Sequence, residues 1–175
     1  MKRHLALVGF MAAGKSTIGR RLARRLHCAF FDTDALVVRE HGAIDEIFAQ
    51  EGEDAFRRYE REAIARVLEG ESAVVALGGG ALTVGETRGR IARDAHSVFL
   101  KVSPQEILER VRHGASRRPL LGSAPTLAQI CLLYEKRLPD YTAADHTVDA
   151  HLLSDRAVID DILAWLREQK IEFPR

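Results

Sequence analysis

Residues 5–17, "LALVGFMAAGKST", decide how the rest of the sequence is interpreted. The apolar run ends at Gly9, as a buried parallel strand does before a turn. The next residues fit the pattern G-x-x-x-x-G-K-[ST] through Gly9, Gly14, Lys15 and Ser16. Because a helical pattern begins at the second glycine, the stretch predicts a strand, a phosphate-binding loop and a helix in succession.

The predicted loop has the chemistry of a nucleotide site. Backbone N–H groups and the positive end of the helix bind phosphate oxygens, Lys15 reaches the β- and γ-phosphates, and the Ser16 hydroxyl ligates Mg²⁺. An ordinary glycine turn would explain the two glycines but not the Lys-Ser pair in the first helical turn. We therefore predict a nucleotide and Mg²⁺ as ligands. The residues predicted to contact the nucleotide here are Ala12, Ala13, Gly14, Lys15, Ser16 and Thr17.

Strand candidates alternate with helical patterns along the chain. Strands are predicted at 5–8, 28–32, 72–77, 97–102 and 146–149, and helices at 14–27, 34–41, 44–50, 53–68, 84–94, 104–113, 126–141 and from 154 onward. Ser103-Pro104-Gln105-Glu106 reads as a capping box that starts one of these helices. The alternation predicts an α/β fold of three α/β/α layers with a central, mostly five-stranded parallel sheet. At 175 residues, the chain is expected to form a single domain, 1–175.

The charge pattern excludes two classes of partner. A formal net charge of +1 gives no global field that would recruit nucleic acid or an anionic membrane. Arginines 20, 21, 24 and 25 lack interleaved aromatic residues, so we interpret them as a solvated helix face. The uncharged stretch 73–85 is shorter than the ~20 apolar residues that span a bilayer. We therefore expect no nucleic-acid or membrane partner.

The remaining composition points to a reduced setting and one metal. Cys28 and Cys131 form no C-x-x-C pair, and no small-residue cleavage site follows the N-terminal run, so a cytoplasmic location is expected. The seven histidines lack metal-ligand spacing, which leaves Mg²⁺ as the expected metal. Without sustained heptads or a long apolar face, a monomer is expected.

A phosphate loop alone is compatible with a switch GTPase, a motor ATPase or a small-molecule kinase. Guanine recognition usually uses N-K-x-D, and the protein-kinase catalytic loop needs an asparagine for its second Mg²⁺. The chain contains no asparagine. This absence argues against an ordinary GTPase and against a protein kinase.

Two carboxylates follow the second predicted strand, in "FFDTD" at 30–34. Residues i and i+2 of a strand point the same way, so Asp32 and Asp34 can both face the ligand edge of a parallel sheet. One can support Mg²⁺ through water, while the other orients a substrate hydroxyl. The alternative is that Asp34 caps a helix and Asp32 is exposed. A free Asp has a pKa of ~3.9, so Asp34 is expected to orient the hydroxyl rather than deprotonate it beforehand.

Two further segments supply candidate charges and backbone. Arg57 and Glu60 in "AFRRYE" are three apart on a predicted helix, and Arg137 lies near the end of another. On composition alone each arginine is a surface residue. The triplet 78–80 in "VVALGGGALTVG" is either a flexible turn or a place where a ligand meets the backbone.

These pieces together resemble the shikimate kinases, small P-loop kinases related to the nucleoside monophosphate kinases. The resemblance runs essentially end to end and rests on six motifs in order. They are G-F-M-x-x-G-K-S-T, D-T-D at 32–34, F-R-x-x-E at 56–60, G-G-G-A at 78–81, R-P-L-L at 118–121 and K-R-x-P-x-Y at 136–141. The implied activity is transfer of a phosphoryl group from MgATP to the 3-hydroxyl of shikimate.

The resemblance also implies roles at the substrate end. Asp34 would bind the hydroxyls of shikimate, and Arg57 and Arg137 would clamp its carboxylate. Glu60 would hold Arg57 in place. Gly79 and Gly80 would line the substrate site, with the backbone of Gly79 presented to the ring. The substrate-binding helices would occupy 34–60.

At the nucleotide end, Ser16 is the expected Mg²⁺ ligand, and with Asp34 assigned to the substrate, Asp32 is expected to support the ion through water. Arg118, in a mobile lid over 112–125, would close over the ATP phosphates, with Arg117 as its competitor. Arg110 would pack near the adenine, with Arg112 competing. Asp34, Lys15 and Arg118 form the predicted catalytic set.

The sequence departs from the family pattern at one position. Family phosphate loops commonly read G-F-M-G-A-G-K, and here Ala12 replaces the inner glycine. If the position needs φ > 0, this alanine carries ~1 kcal/mol or more of strain. Two other functions stay open on the sequence: a kinase of another small hydroxy acid such as gluconate, and a nucleotide-binding module without transfer activity.

Overall fold

Five parallel strands form one sheet in the computed structural model, which describes residues 2–113, 119–122 and 124–173. The strands are β1 (His4–Val8), β2 (Ala29–Asp32), β3 (Ala73–Ala76), β4 (Ala95–Lys101) and β5 (His146–Asp149), in the spatial order β2-β3-β1-β4-β5. The helices are α1 (Lys15–Leu26), α2 (Thr33–His41), α3 (Ile44–Gln50), α4 (Glu53–Glu69), α5 (Gly85–Asp94), α6 (Pro104–His113), α7 (Leu127–Thr142) and α8 (Asp155–Glu168). The predicted three-layer fold with a five-stranded parallel sheet is confirmed.

The strand before the phosphate loop is the middle strand of the sheet. All five residues of β1 are buried, and four of them, Leu5 to Val8, form the apolar run expected for a strand covered on both faces. Leu7 is paired with Ala76 of β3, and Val8 with Phe99 of β4. The chain therefore leaves β1 at the centre of the carboxyl edge, between the loops that follow its two neighbours. In open parallel sheets ligands bind at this edge.

Helix α1 packs one face on the sheet and leaves the other to solvent. Ile18, Leu22 and Ala23 are buried, while arginines 20, 21, 24 and 25 are exposed. The predicted solvated arginine face is confirmed. Gly19 lies on the buried face, where a Cβ would meet a Phe30 ring carbon at 2.5 Å and Leu7 Cδ1 at 3.2 Å.

The predicted capping box of α6 is half right. Ser103 Oγ accepts a hydrogen bond from the Glu106 N–H at 3.3 Å, as expected for the start of this helix. The Glu106 carboxylate turns instead to the chain beyond β5, where it accepts from the Leu152 N–H at 3.3 Å and contacts His151 Nδ1 at 2.8 Å. A reciprocal capping box does occur before α7, at Thr126 and Gln129.

Helices α2 and α3 and the first turns of α4 cover residues 34–60 and have a small core of their own. Val37, Ile47, Phe56 and Ala63 form it. This packing fixes α4 so that Arg57 and Glu60 are buried against the rest of the chain rather than in solvent. Within the described residues, no helix is long and apolar enough to cross a membrane.

Two glycines inside helices should respond in opposite ways to the same substitution. Gly19→Ala forces the new methyl group into the Phe30 ring, so we expect the free energy of unfolding to fall by about 1–3 kcal/mol. Gly89→Ala, at an exposed position of α5, meets no atom of the described residues within 4 Å and should raise it by about 0.5–1 kcal/mol. Urea denaturation of both variants measures the difference, and equal shifts would show that α1 does not pack on β2 as described.

Candidate active site

The phosphate loop is shaped by its two motif glycines and its lysine. Gly9 and Gly14 have φ of 139° and 94°, the left-handed region that favours glycine. Lys15 is buried, and its Nζ donates to the carbonyl oxygens of Gly9 and Phe10 at 2.8 Å each. Gly14 is the N-cap of α1 and has no side chain to fold over the helix end, so the first-turn N–H groups can bind an anion. The loop therefore has the concave, positive form of a phosphate site.

Ala12 has a φ of 61°. The position where the family pattern has glycine is therefore left-handed, and the condition that the sequence left open is met. An L-residue with a Cβ in this conformation costs roughly 1–2 kcal/mol. The Ala12 carbonyl also accepts a hydrogen bond from Arg110 Nη1 at 3.1 Å, which ties the loop to α6.

Asp32 and Asp34 do not lie at alternate positions of one strand, as the sequence predicted. Strand β2 ends at Asp32, and Asp34 already lies in the first turn of α2, so the two do not share one strand face. Asp32 is the N-cap of α2: its Oδ1 accepts from the Ala35 N–H at 3.2 Å, and its Oδ2 accepts a short hydrogen bond from the Ser16 hydroxyl. The alternative with Asp34 as the cap and Asp32 exposed is also wrong. Asp32 faces the phosphate loop, and Asp34 faces the glycine triplet.

Arg57 and Glu60 form a buried ion pair on α4. Arg57 Nη1 donates to Glu60 Oε2 at 2.7 Å, and Glu60 is only 2% exposed. The other edge of the Arg57 guanidinium donates from Nη2 and Nε to Glu53, at 3.1 and 3.3 Å. Burial by itself lowers the pKa of Arg57, but the Glu60 and Glu53 carboxylates outweigh it and the pKa is raised. The guanidinium stays charged, and the predicted helical pairing of Arg57 with Glu60 is confirmed.

The third candidate cation, Arg137, reaches the same pocket from α7. Arg137 is 3% exposed, and its Nη1 donates to the Gly79 carbonyl at 3.2 Å. The Tyr141 hydroxyl donates to the same oxygen, and its ring stacks on Phe99 at 5.2 Å between centroids. Burial raises the pKa of Tyr141 to about 12, so this hydroxyl keeps its proton at neutral pH. The sequence reasoning gave Tyr141 no role, although it ends the K-R-x-P-x-Y motif.

The glycine triplet has no room for side chains, because neighbouring atoms of the chain occupy the space that a Cβ would take. A Cβ on Gly78 would overlap Glu60 Oε1 and come within 2.5 Å of Asp34 Oδ1. A Cβ on Gly80 would overlap the Arg57 guanidinium, and one on Gly79 would meet the Met11 nitrogen of the phosphate loop at 3.0 Å. The triplet is therefore a close-approach segment rather than a flexible turn. Gly78 and Gly80 make room for the side chains of Glu60, Asp34 and Arg57, and Gly79 makes room for the phosphate loop.

Four further arginines were predicted near the nucleotide, and the structure describes two of them. Arg110 contacts the phosphate loop at Ala12 and pairs with Glu106, while Arg112 is exposed. Arg117 and Arg118 lie outside the described residues, as does part of the predicted lid. Their assignment stays a prediction.

A phosphate loop on the central strand of a parallel sheet, beside a buried pocket of carboxylates and guanidiniums, defines a P-loop phosphotransferase of the small-molecule kinase type. Comparison with known proteins gives the family. The shikimate kinase family model matches residues 11–167. The chain belongs to the shikimate kinase family.

Individual relatives agree over nearly the whole chain. It is 45% identical to the shikimate kinase of Nitrobacter winogradskyi over 95% of this chain and 78% of the relative. It is 38% identical to that of Symbiobacterium thermophilum over 95% of each. The shikimate kinase of Acinetobacter baumannii, solved in complex with shikimate, superposes with a TM-score of 0.91 at 31% identity, covering 98% of this chain and 97% of that one.

Ala12→Gly should relieve the strain in the phosphate loop. Glycine removes roughly 1–2 kcal/mol of left-handed strain and costs about 0.5–1 kcal/mol through the greater entropy of the unfolded chain, so the free energy of unfolding should rise by up to about 1.5 kcal/mol. The matched control is Ala13→Gly. Ala13 is buried and has no left-handed φ, so its change should lower the free energy of unfolding by about 1–2 kcal/mol. Urea denaturation compares them, and an equal loss in both would contradict strain at Ala12.

Proposed function

We propose that this chain transfers the γ-phosphoryl group of ATP to the 3-hydroxyl of shikimate, giving shikimate 3-phosphate and ADP. The observation that carries the proposal is the juxtaposition of an intact phosphate loop with a buried pocket containing Asp34, Arg57 and Arg137 around one glycine triplet. Membership of the shikimate kinase family and the similarity to a structure solved with shikimate support the substrate.

For the nucleotide, we propose that the backbone from Ala12 to Thr17 cradles the phosphates and that the Lys15 ammonium neutralises their charge. Lys15 lies against the loop carbonyls, so its ammonium is already inside the concave face where phosphate oxygens would bind. Arg110 donates to the Ala12 carbonyl and would extend this positive surface toward the rest of the nucleotide. Arg118 is proposed to complete the site over the phosphates.

The oxygen donors beside the loop fit Mg²⁺. The Ser16 hydroxyl and the Asp32 carboxylate are hydrogen-bonded to each other at the start of α1, and hard oxygen donors are the ligands that Mg²⁺ takes together with water and phosphates. Ser16 would hold the ion directly and Asp32 through water. Bound there, Mg²⁺ would neutralise negative charge on the phosphate oxygens. Among the described residues no group of three or more His, Cys, Asp or Glu side chains could by itself hold a metal ion.

At the acceptor end, we propose that Asp34 orients the hydroxyl and accepts its proton late, as a loose phosphoryl-transfer transition state requires. The carboxylate of the substrate would bind the guanidiniums of Arg57 and Arg137, which can donate paired hydrogen bonds to it. Glu60 would hold Arg57 toward the pocket. The Gly79 carbonyl is held by Arg137 and Tyr141, so the triplet is a rigid wall for the ring. The predictions of a monomer and a cytoplasmic location stand as predictions.

The direct test is release of ADP from MgATP by the purified chain. We expect turnover with shikimate and none above background with gluconate or AMP, because neither combines a ring hydroxyl with a carboxylate at the required spacing. Turnover that is equal with gluconate would support the hydroxy-acid alternative. Nucleotide binding without acceptor-dependent turnover would support a binding module and overturn the proposal.

Removing the proposed carboxylate anchor should affect one substrate only. Arg57→Ala should raise KM for shikimate roughly 10- to 100-fold, the effect of losing about 1.5–3 kcal/mol of charged hydrogen bonding, and leave KM for ATP within about twofold. The neighbouring Arg58 is exposed and lies over the Tyr59 ring, so Arg58→Ala is the matched control with both values unchanged. Steady-state kinetics measures both constants. A collapse of ATP affinity in Arg57→Ala would show that this arginine is assigned to the wrong substrate.

A further inference from the structure

The pocket beside the phosphate loop holds several charged side chains before any substrate enters. Among the described residues, three carboxylates (Asp34, Glu53, Glu60) accompany two guanidiniums (Arg57, Arg137) around Glu60. A substrate that carries its own carboxylate adds another negative charge to this group. A further charge in a buried cluster is costly, so some charge must be screened or neutralised on binding.

A substrate carboxylate would compete with Glu53 and Glu60 for the guanidinium of Arg57. Three of its five N–H groups already donate to carboxylates of the chain: one on Nη1 to Glu60, and one each on Nη2 and Nε to Glu53. Glu53 is half-exposed, with 49% of its side chain accessible, and can turn to water when a substrate carboxylate arrives. Glu60, at 2% exposed, has no such route. Its charge can leave the pocket only by taking up a proton.

Glu60 has an atom suited to hold that proton. While Oε2 accepts from Arg57, Oε1 is buried and has no hydrogen-bond partner among the described residues. Oε1 and the Asp34 Oδ1 both lie within 2.5 Å of one point, the position that a Gly78 Cβ would take. A proton on Oε1 would remove the repulsion between two neighbouring carboxylates and could be donated to Asp34 as a hydrogen bond.

We propose that Glu60 takes up one proton from solvent when the anionic substrate binds beside Arg57, and releases it when the product leaves. The inference deepens the proposed function and rests on it. The proton is held on Glu60 Oε1, and no bond of the substrate forms or breaks in this step. Glu60 is thus a positioning residue that adapts the charge of the pocket to a carboxylate ligand.

The surroundings of Glu60 bring the pKa of its carboxyl close to neutral pH. Burial raises the pKa of Glu60 to about 7; Arg57 and Arg137 act to lower it, and Asp34 acts to raise it. In the free chain near pH 7, Glu60 is therefore partly protonated. A further anion nearby favours the protonated form, so binding completes the protonation. The linked uptake should be small at pH 6, where the proton is already present, and larger at pH 8.

Calorimetric titration of the full chain with shikimate, without nucleotide, measures this linkage. Titrations at pH 6, 7 and 8, each in two buffers of different ionisation enthalpy, give the number of protons taken up. We expect net uptake that grows from pH 6 to pH 8, with Kd for shikimate rising by up to about tenfold per pH unit above pH 7. Binding with no uptake and a flat Kd would overturn the inference and leave the proposed function standing.

Two variants assign the proton. Glu60→Gln should bind shikimate with no proton uptake and a Kd independent of pH. Glu53→Gln, which alters the other partner of the same guanidinium, should keep the uptake. Uptake that persists in Glu60→Gln or disappears in Glu53→Gln would assign the proton elsewhere and overturn the inference.

An infrared difference spectrum of the chain with isotope-labelled glutamate is independent of any variant, and it decides the question should Glu60→Gln fail to fold. Binding should convert a glutamate carboxylate band to a carboxylic acid band. Its absence would overturn the inference. Failure of shikimate to bind under any of these conditions would overturn the proposed function, and the inference with it.

Discussion

The buried pair of Arg57 and Glu60 is the interaction on which the pocket depends. Their 2.7 Å hydrogen bond lies out of solvent, where an ion pair costs desolvation, and where removing one partner typically costs about 3–5 kcal/mol. Neither side chain fits beside the sheet edge unless the segment opposite has no Cβ. Gly78 and Gly80 satisfy this condition. The glycine triplet and the ion pair are therefore one packing solution, although about 20 residues of chain separate them.

The sheet register brings this cluster to the nucleotide end. Ala76 of β3 is paired with Leu7 of β1 on one side and with Asp32 of β2 on the other. Three strands thus end at one level: β1 continues into the phosphate loop, β2 delivers Asp32 to Ser16, and β3 continues into the triplet. Donor and acceptor sites are adjacent because parallel strands place their carboxyl ends at one edge. A shift of one residue would turn these groups to the other side of the sheet.

The sequence was most informative where the controlling forces are local. Apolar runs and helical periodicity predicted the strands and helices to within about two residues, and the spacing of Arg57 and Glu60 predicted their contact. The motif at 9–16 predicted the phosphate loop because only a ligand explains Lys15 and Ser16 together. Local rules failed at Asp32, where strand continuation and helix capping compete. The chain enters α2 one residue earlier than the strand argument assumed, and this separates the two aspartates.

Contacts between residues far apart in the chain could not be predicted from the sequence. Nothing near Gly78 in the chain indicates that Glu60 occupies the space of its missing Cβ, because the packing of α2 and α3 under α4 decides that position. The hydrogen bond of Tyr141 was not predicted for the same reason, since its partner is a carbonyl oxygen 62 residues away.

The proton proposed for Glu60 follows from this crowding. The missing Cβ of Gly78 leaves room for both Glu60 and Asp34. A carboxylate next to a buried carboxylate is repelled unless one of the two is neutral. An arginine that must serve both an internal carboxylate and an incoming one cannot fully balance both charges. Neutralising the internal carboxylate leaves the guanidinium to the ligand without moving a buried side chain. A rigid pocket can therefore change its charge on binding while its packing stays fixed.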